Sequence, residues 1–352
     1  MTPRADFPPD VDVVIVAHNN VATLASTIES LQVAGCPIAA VTVVDIASTD
    51  GTETMLASAW PTIKRIRLAR NDGPCPARNA GIRAATRPLV LVMDADVLVA
   101  PDAVQRLRAA MTLDTRVKIG SPIVVHLERP EVIQYAGSAL HVLCEAVNPW
   151  RDRTLAERGP ETCEIGVAAA CALLLDRAAA VEVGLFDERY FMGKDDGDFT
   201  HRVKLAGYSI LEVPSALALH HSRRRGTWMI PYQIRNRWHF MLKNYEWRTL
   251  FFMLPVFAVH ELLQLLLLAG KGHLTSYLWA MGRLIAMLPA LPADRAAIRR
   301  IRRRHDRDLL VGGELVVRDD FAGPRWARRA KRCYERAVTT YWALLMRTVL
   351  AR

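Results

Sequence analysis

The chain has 352 residues and is 51% hydrophobic, enough to bury one large α/β core and leave roughly a hundred residues for a second part. Its net charge is +10 and its six cysteines lack CxxC spacing, which excludes a disulfide-stapled scaffold and a zinc knuckle. Cys36, Cys75, Cys144, Cys163, Cys171 and Cys333 are read as reduced core thiols. The opening MTPRADFPPD has no apolar h-region, so no secretory signal is expected and the chain is expected to face the cytosol.

Short β-rich runs alternate with helical stretches over the first part of the chain. Strands are predicted at 11–17, 41–45, 63–69 and 88–94, and helices at 21–34, 52–59, 76–86 and 101–111. The near-continuous Val/Ile/Leu runs suit parallel strands covered on both faces, hence a doubly wound, mainly parallel α/β sheet. Such sheets bind ligands at the carboxyl ends of their strands, which directs attention to Asn19, Asn20, Asp45, Asp94 and Asp96. AHNN after the first strand puts side chains where a dinucleotide fold needs bare glycine backbone, which argues against a dehydrogenase. Residues 121–165, with Pro130, Pro149 and Pro160, read as an irregular acceptor-side insertion. Order returns with GVAAACALLLD at 166–176, a short helix at 177–183 and strands near 209–213 and 216–220.

The composition changes near residue 250. LFFMLPVFAVHELLQLLLLAG at 250–270 is long enough to cross a bilayer, but His260, Glu261 and Gln264 sit near its middle and Pro255 interrupts it. A charge at the centre of a spanning helix costs about 2.5–3.5 kcal/mol on insertion scales, so an interfacial helix or re-entrant hairpin is expected ahead of true spanning. A second apolar stretch at 277–292 feeds into RAAIRRIRRRHDR at 295–307, which carries seven arginines. Apolar helices followed by polybasic sequence suit an anionic membrane surface, each basic residue adding about 1 kcal/mol, and this reading ranks above nucleic acid, with a solvated arginine-rich face as the bland alternative. No nucleic-acid partner is expected, since no aromatic-interleaved platform, homeodomain-like helix or zinc finger is present.

Two acidic groups carry the chemistry. MDADV at 93–97 places two carboxylates at a strand end, where hard cations such as Mg²⁺ or Mn²⁺ are held together with phosphate oxygens; the bland reading is a turn or cap. KDDGD at 194–198 precedes a helix expected to begin near Phe199 with Asp198 as its N-cap, leaving Asp195 and Asp196 to be explained as an exposed base. His220 and His221 follow a strand and offer an imidazole to a metal or merely pack. Arg223, Arg224 and Arg225 read either as a phosphate clamp or as a basic rim, and Trp228, Trp238 and Trp247 as packing residues before stacking platforms.

Taken in order, VIVAHNN at 14–20, VVDIASTDGT at 43–52, NDGPCPARNAGI at 71–82, MDADV at 93–97 and VGLFDERYFMGKDDGDFTHRVKLAGY at 183–208 resemble the family 2 glycosyltransferases of the GT-A fold. The closest resemblance is to the rhamnosyltransferase-like branch that builds bacterial cell-surface glycans, and RNRWHFMLKNY at 235–245 is a weaker sixth match. The resemblance implies inverting, metal-dependent transfer of a sugar from a nucleotide sugar to a lipid-linked or other glycan acceptor at the cytoplasmic side of a membrane, with peripheral attachment. It implies Asp196 as catalytic base, and Asp96 with His220, or else His221, as ligands of Mg²⁺ or Mn²⁺. It implies Ala17, Asn19, Asp45, Arg78, Asn79, Asp94 and Asp195 at the nucleotide sugar, Asp45 at the base. A catalytic domain over 1–225, a connecting helix over 226–249 and membrane-associated helices over 250–352 are expected.

The sequence also departs from that pattern. Ile46 and Ala47 replace an Asn-Gly-like pair, Asp195 stands where Glu is usual, and Gly73-Pro74-Cys75-Pro76 is unusually stiff. A polyprenyl-phosphate sugar synthase and a catalytically silent subunit of a surface-glycan complex are the rival readings.

Overall fold

The computed structural model describes residues 6–221, 226–315 and 325–350; Arg223, Arg224 and Arg225 lie outside them. The alternation is present as β1 (Val11–Ala17), α1 (Leu24–Val33), β2 (Val41–Ile46), α2 (Thr52–Ala59), β3 (Lys64–Leu68), α3 (Pro74–Ala84), β4 (Leu89–Asp94), β5 (Val97–Val99) and α4 (Ala103–Met111). β1 pairs in parallel with β2 and β4, and β2 with β3. Successive side chains along a strand point to opposite faces, so each strand feeds two cores. Val13, Ile15, Val43 and Leu91 pack with Leu24, Ile28 and Leu107, whereas Val14, Val44, Val90 and Val92 pack with Ala77 and Ile82 of α3. Burial on both sides is the reason these strands read as unbroken apolar runs.

The segment expected to be irregular is largely strand. β6 (Val117–His126) is followed by β7 (Arg129–Tyr135), β8 (Ala139–His141), β9 (Ala146–Val147), α5 (Leu155–Arg158) and β10 (Cys163–Glu164). β6, β7 and β10 join the main sheet, and β8 and β9 lie in a separate small one. Gly120 and Pro122 hid β6 from the sequence pattern, because neither is a usual strand-interior residue. Gly120 lies close against Leu107 of α4, and Pro122 sits opposite Val213, where the register shifts. The same shift made one bent strand, β12 (Ser209–His220), read as two. β11 (Ala172–Asp176) inserts antiparallel between β4 and β6, giving the order β10-β12-β6-β11-β4-β1-β2-β3.

After α6 (Arg177–Glu182), α7 begins at Asp195 and ends at Leu205, earlier than expected. Its N-cap is Lys194, which sits at φ 65° directly after Gly193 at φ 81°. Asp198 is therefore inside the helix and is no cap: it is fully buried, 2.9 Å from Arg202 and 2.7 Å from Lys243.

The C-terminal part comprises α8 (Ile230–Asn244), α9 (Trp247–Gly270), α10 (Leu274–Met287), α11 (Leu291–Ile301), α12 (Asp306–Leu309), β13 (Leu310–Val311) and α13 (Arg325–Arg347). It shares a core with the sheet layer: Leu140 and Val142 pack with Phe240, Met253, Phe257 and Trp342. α9 and α10 are each part of a stretch long and apolar enough to cross a membrane, and Phe251, Leu254, Leu262, Leu266, Leu278 and Ile285 are exposed on them. The polar residues inside α9 turn inward, Glu261 to Arg237 and His260 to the Tyr334 hydroxyl at 3.1 Å. Of the arginine cluster, Arg302 is tied to Asp306 at 3.0 Å, Arg307 to the Leu350 carbonyl and Arg295 lies on the Trp247 ring, while Arg299, Arg300 and Arg303 are exposed. Trp238 packs on Phe257. All six cysteines are free thiols, but Cys333 is exposed on α13 and is not a core residue.

Removing one member of a buried ionic group leaves the others desolvated and unpaired, at a cost of about 3–5 kcal/mol. Asp198→Ala is therefore expected to lower the thermal midpoint by roughly 10 °C. Asp72→Ala, which removes an exposed pair with Arg70, should leave it nearly unchanged. Differential scanning fluorimetry of the two variants makes the comparison.

Candidate active site

The carboxyl ends of β1, β4 and β12 and the N-terminus of α7 border one cleft of about 1200 Å³. Asn19, Arg78, Asp94, Asp96, Asp195, Asp196 and His220 all line it. The turn after β1 is sewn to the turn after β2. Asn19, at φ 53°, receives the Thr49 N–H on its side-chain oxygen at 2.8 Å and gives its own N–H to the Ser48 hydroxyl at 2.9 Å. The His18 ring Nδ1 lies 2.6 Å from the Ile46 carbonyl. Ala47 sits at φ 50°, the left-handed region that favours Gly or Asn, so this backbone is where an Asn-Gly-like pair would stand without strain.

Asp94 and Asp195 are joined by one side chain. Arg78, from the first turns of α3, donates to Asp94 at 3.0 Å and to Asp195 at 2.8 Å and lies over the Phe186 ring. Burial alone would drive the proton off this guanidinium, but the two carboxylates outweigh it and hold it charged above its ordinary range. Cys171, whose carbonyl accepts the Asp94 N–H at 2.9 Å, is kept a protonated thiol by burial and by the carboxylates of Asp94, Asp196 and Asp96.

His220 is buried, and its Nε2 lies 3.6 Å from Asp96 Oδ1. Its Nδ1 is 2.8 Å from the Gln134 side-chain oxygen, which only accepts, so a hydrogen on Nδ1 satisfies that contact and leaves Nε2 facing Asp96. An imidazole nitrogen and a carboxylate at that separation are residue types that could hold a divalent cation between them. His221, by contrast, turns away and pairs with Glu128 at 2.7 Å. Among the described residues no three His, Cys, Asp or Glu side chains form a metal cluster. Asp196 borders the cleft at the first turn of α7, with one oxygen accepting the Gly197 N–H at 2.7 Å.

Three predicted binding residues do not line the cleft. Ala17 is fully buried in the sheet core. Asp45 accepts from Arg67 at 2.9 Å and from the Ser48 amide at 3.2 Å, which braces the loop after β2. Asn79 faces the opposite side of α3, where it exchanges hydrogen bonds with Phe186 and donates to Glu188. Sequence reasoning missed Gln134, Phe191 and Gln233, which line the cleft. Gln134 belongs to the stretch read as irregular, and nothing in its local pattern marked it.

The stiff Gly73-Pro74-Cys75-Pro76 run acquires a physical reason. Pro74 opens α3, where its missing N–H is no loss, and the buried Cys75 thiol lies 3.4 Å from the Tyr190 carbonyl. Gly73, at φ 89°, passes so close to Phe191 that any Cβ would collide with its backbone. The loop thus forms a wall against the segment leading to Asp195 and Asp196.

Residues 12–179 match the family model described as glycosyl transferase family 2. This domain belongs to that family. Succinoglycan biosynthesis protein ExoO of Rhizobium meliloti (strain 1021) is 34% identical over 145 residues, 41% of this chain and 40% of that protein, so the match spans less than half of the relative. N-acetylglucosaminyl-diphospho-decaprenol L-rhamnosyltransferase of Mycobacterium tuberculosis is 28% identical over 230 residues, 59% of this chain and 75% of that one. GalNAc-T7, solved with UDP, GalNAc and Mn²⁺, superposes with a TM-score of 0.56 at 20% identity over 67% of this chain and 48% of its own. Mannosyltransferase PcManGT from Pyrobaculum calidifontis, solved with GDP-Man and Mn²⁺, gives 0.50 at 18% identity over 96% and 87%. At such identities the likeness is of fold, the GT-A fold.

Gly73→Ala combines a left-handed backbone with a backbone collision, so it should destabilise the family 2 domain by more than about 1–2 kcal/mol. Thermal denaturation beside Gly159→Ala, at a glycine of φ 71° with open space around it, separates the collision from the conformational strain.

Proposed function

We propose that the chain is an inverting glycosyltransferase that moves a sugar from a nucleotide sugar to a hydroxyl of a lipid-linked glycan at the cytoplasmic face of a membrane. The observation that supports this most is the shared cleft, where the Asp96–His220 pair and Asp196 stand on either side of the Arg78 bridge. Asp96 and His220 would hold Mg²⁺ or Mn²⁺ against the donor diphosphate, and the cation would neutralise charge on the departing nucleoside diphosphate. Asp196 takes the proton of the acceptor hydroxyl while that oxygen attacks the anomeric carbon from the face opposite the diphosphate. The bond to the diphosphate breaks as the new glycosidic bond forms. Asn19 and Asp94 border the donor side. Asp195, held by Arg78, fixes the start of α7 next to the base.

Attachment to an anionic membrane surface through residues 250–352 is part of the same reading, supported by the exposed apolar faces of α9 and α10 and by Arg299, Arg300 and Arg303. The catalytic domain is taken as 1–225 and residues 226–249 as its connection to these helices. A lipid-linked acceptor suits an enzyme so attached, and the decaprenol-linked acceptor in the name of the mycobacterial relative points the same way.

Thermal midpoints with UDP, dTDP and GDP, each with Mn²⁺, Mg²⁺ or EDTA, test the donor site. A ligand at a hundred times its Kd adds about 2.7 kcal/mol, so one nucleotide should raise the midpoint by several degrees only with metal. If no nucleotide moves it, a silent subunit becomes the better account. Asp196→Asn should abolish transfer and keep metal-dependent nucleotide binding. Retention of most of the rate would favour transfer to a polyprenyl phosphate, whose oxygen needs no base.

A further inference from the structure

The helix α8 carries RNRWHFMLKNY, the one matched motif that the chemistry above leaves unused. It is an unusual helix, because Arg235, Asn236, Arg237, His239, Lys243 and Asn244 are all buried in it. Burying polar groups is unfavourable unless each finds a partner, and five of these six find theirs in the segment 187–198 that leads into and opens α7. Arg235 donates to the Arg189 carbonyl at 2.8 Å and His239 Nδ1 meets the Tyr190 hydroxyl at 2.8 Å. Lys243 pairs with Asp187 and Asp198, and Asn244 donates to Asp198 at 2.8 Å. Arg237 reaches the other way, to Glu261 of α9.

Asn236 holds the backbone immediately before α7. Its amide donates to the Met192 carbonyl at 3.1 Å and to the Gly193 carbonyl at 2.7 Å. The next residues are Lys194, at φ 65°, then Asp195 and Asp196. A left-handed non-glycine residue costs about 1–2 kcal/mol and persists only where its surroundings over-determine it. Two groups do so here: Asn236 on the preceding carbonyls and Glu145, which pairs with the Lys194 ammonium at 2.5 Å. We infer that Asn236 is a positioning residue for transfer, its two hydrogen bonds fixing the Met192–Lys194 backbone so that Asp196 points at the acceptor hydroxyl. This rests on the role of Asp196 in the proposed function.

The test uses Asn236→Leu, which fills a similar volume without donors, and Asn236→Ala as the second variant, in the full chain. Nucleotide–Mn²⁺ binding by calorimetry counts folded sites, and transfer kinetics are normalised to that count. The expected result is a fall in kcat of roughly 10- to 100-fold with donor KM and nucleotide Kd within about twofold of wild type, since misplacing a reacting group costs rate and leaves donor contacts alone. In the Asp196→Asn background the same substitution should change the residual rate little, because Asn236 acts through the base. The inference is overturned if kcat per folded site is unchanged in both variants. It is overturned as well if the loss is as large without the Asp196 carboxylate, or if it appears only as fewer folded sites. An Asp196→Asn enzyme that keeps its full rate would instead sink the assignment of the base, with the Asn236 variants still reporting by themselves whether α8 sets the rate.

Discussion

Arg78 is the constraint on which the cleft depends. Asp94, Asp96, Asp195 and Asp196 come from segments about a hundred residues apart and converge on one space. Carboxylates gathered in a partly desolvated cleft repel, and the cheapest relief would be to let the α7 loop drift away from the end of β4. One guanidinium placed between Asp94 and Asp195 reverses that, because its fork reaches both at once and remains charged when buried. Asp94 and Asp195 are thereby spent on structure. Asp96, two residues after Asp94, and Asp196, one after Asp195, border the cleft beside them. The adjacent-acid patterns at 94–96 and 195–196 thus have a common logic in which one member anchors and the other faces the ligand space.

The same economy governs the far side of α7. Asp198 has no cap to form; it gathers Arg202, Lys243 and Asn244 into a fully buried cluster. Such clusters are poor sources of net stability compared with packed aliphatic residues, and their use is to define one geometry among several. Here the geometry defined is the seat of the loop that leads to Asp195 and Asp196, with Phe186 stacked on Phe199 nearby. α8 is consequently bound to the segment that opens α7 as much as to the helices that follow.

Much of the sheet was legible because its strands are buried on both faces and its ligand-facing residues follow them directly. VDVVIVA, VTVVD and PLVLVMD needed only their apolar runs, and the acids after them needed only the topology. What escaped was set by contacts distant in sequence. β6 was hidden by a glycine that makes room for α4 and a proline placed at a register shift. The start of α7 was misplaced because its cap is a left-handed lysine, a conformation stabilised from α8 and from Glu145 and written nowhere in KDDGD itself. Asp45 and Asn79 were legible as polar residues at the right ends of the right elements, but their partners, Arg67 and the Phe186 backbone, belong to other segments.

The apolar hairpin shows how a correct physical rule can be applied to the wrong surface. A charge at mid-helix counts against insertion when it faces lipid, yet Glu261 and His260 face Arg237 and Tyr334, and the outward side of α9 is Phe251, Leu254, Leu262 and Leu266. The penalty read from the sequence is therefore met inside the protein. What bears on spanning is instead that α10 is not free on all sides: Ala280 packs with Ile230 and Ile234 of α8, a helix that is itself held by Asp187 and Asp198. A helix packed on one side against α8 leaves its other side as the exposed apolar face, the pattern of a helix that lies in an interface. The Arg237–Glu261 pair joins α9 to the helix that holds the 187–198 segment, so the apolar hairpin and the wall of the cleft share one element.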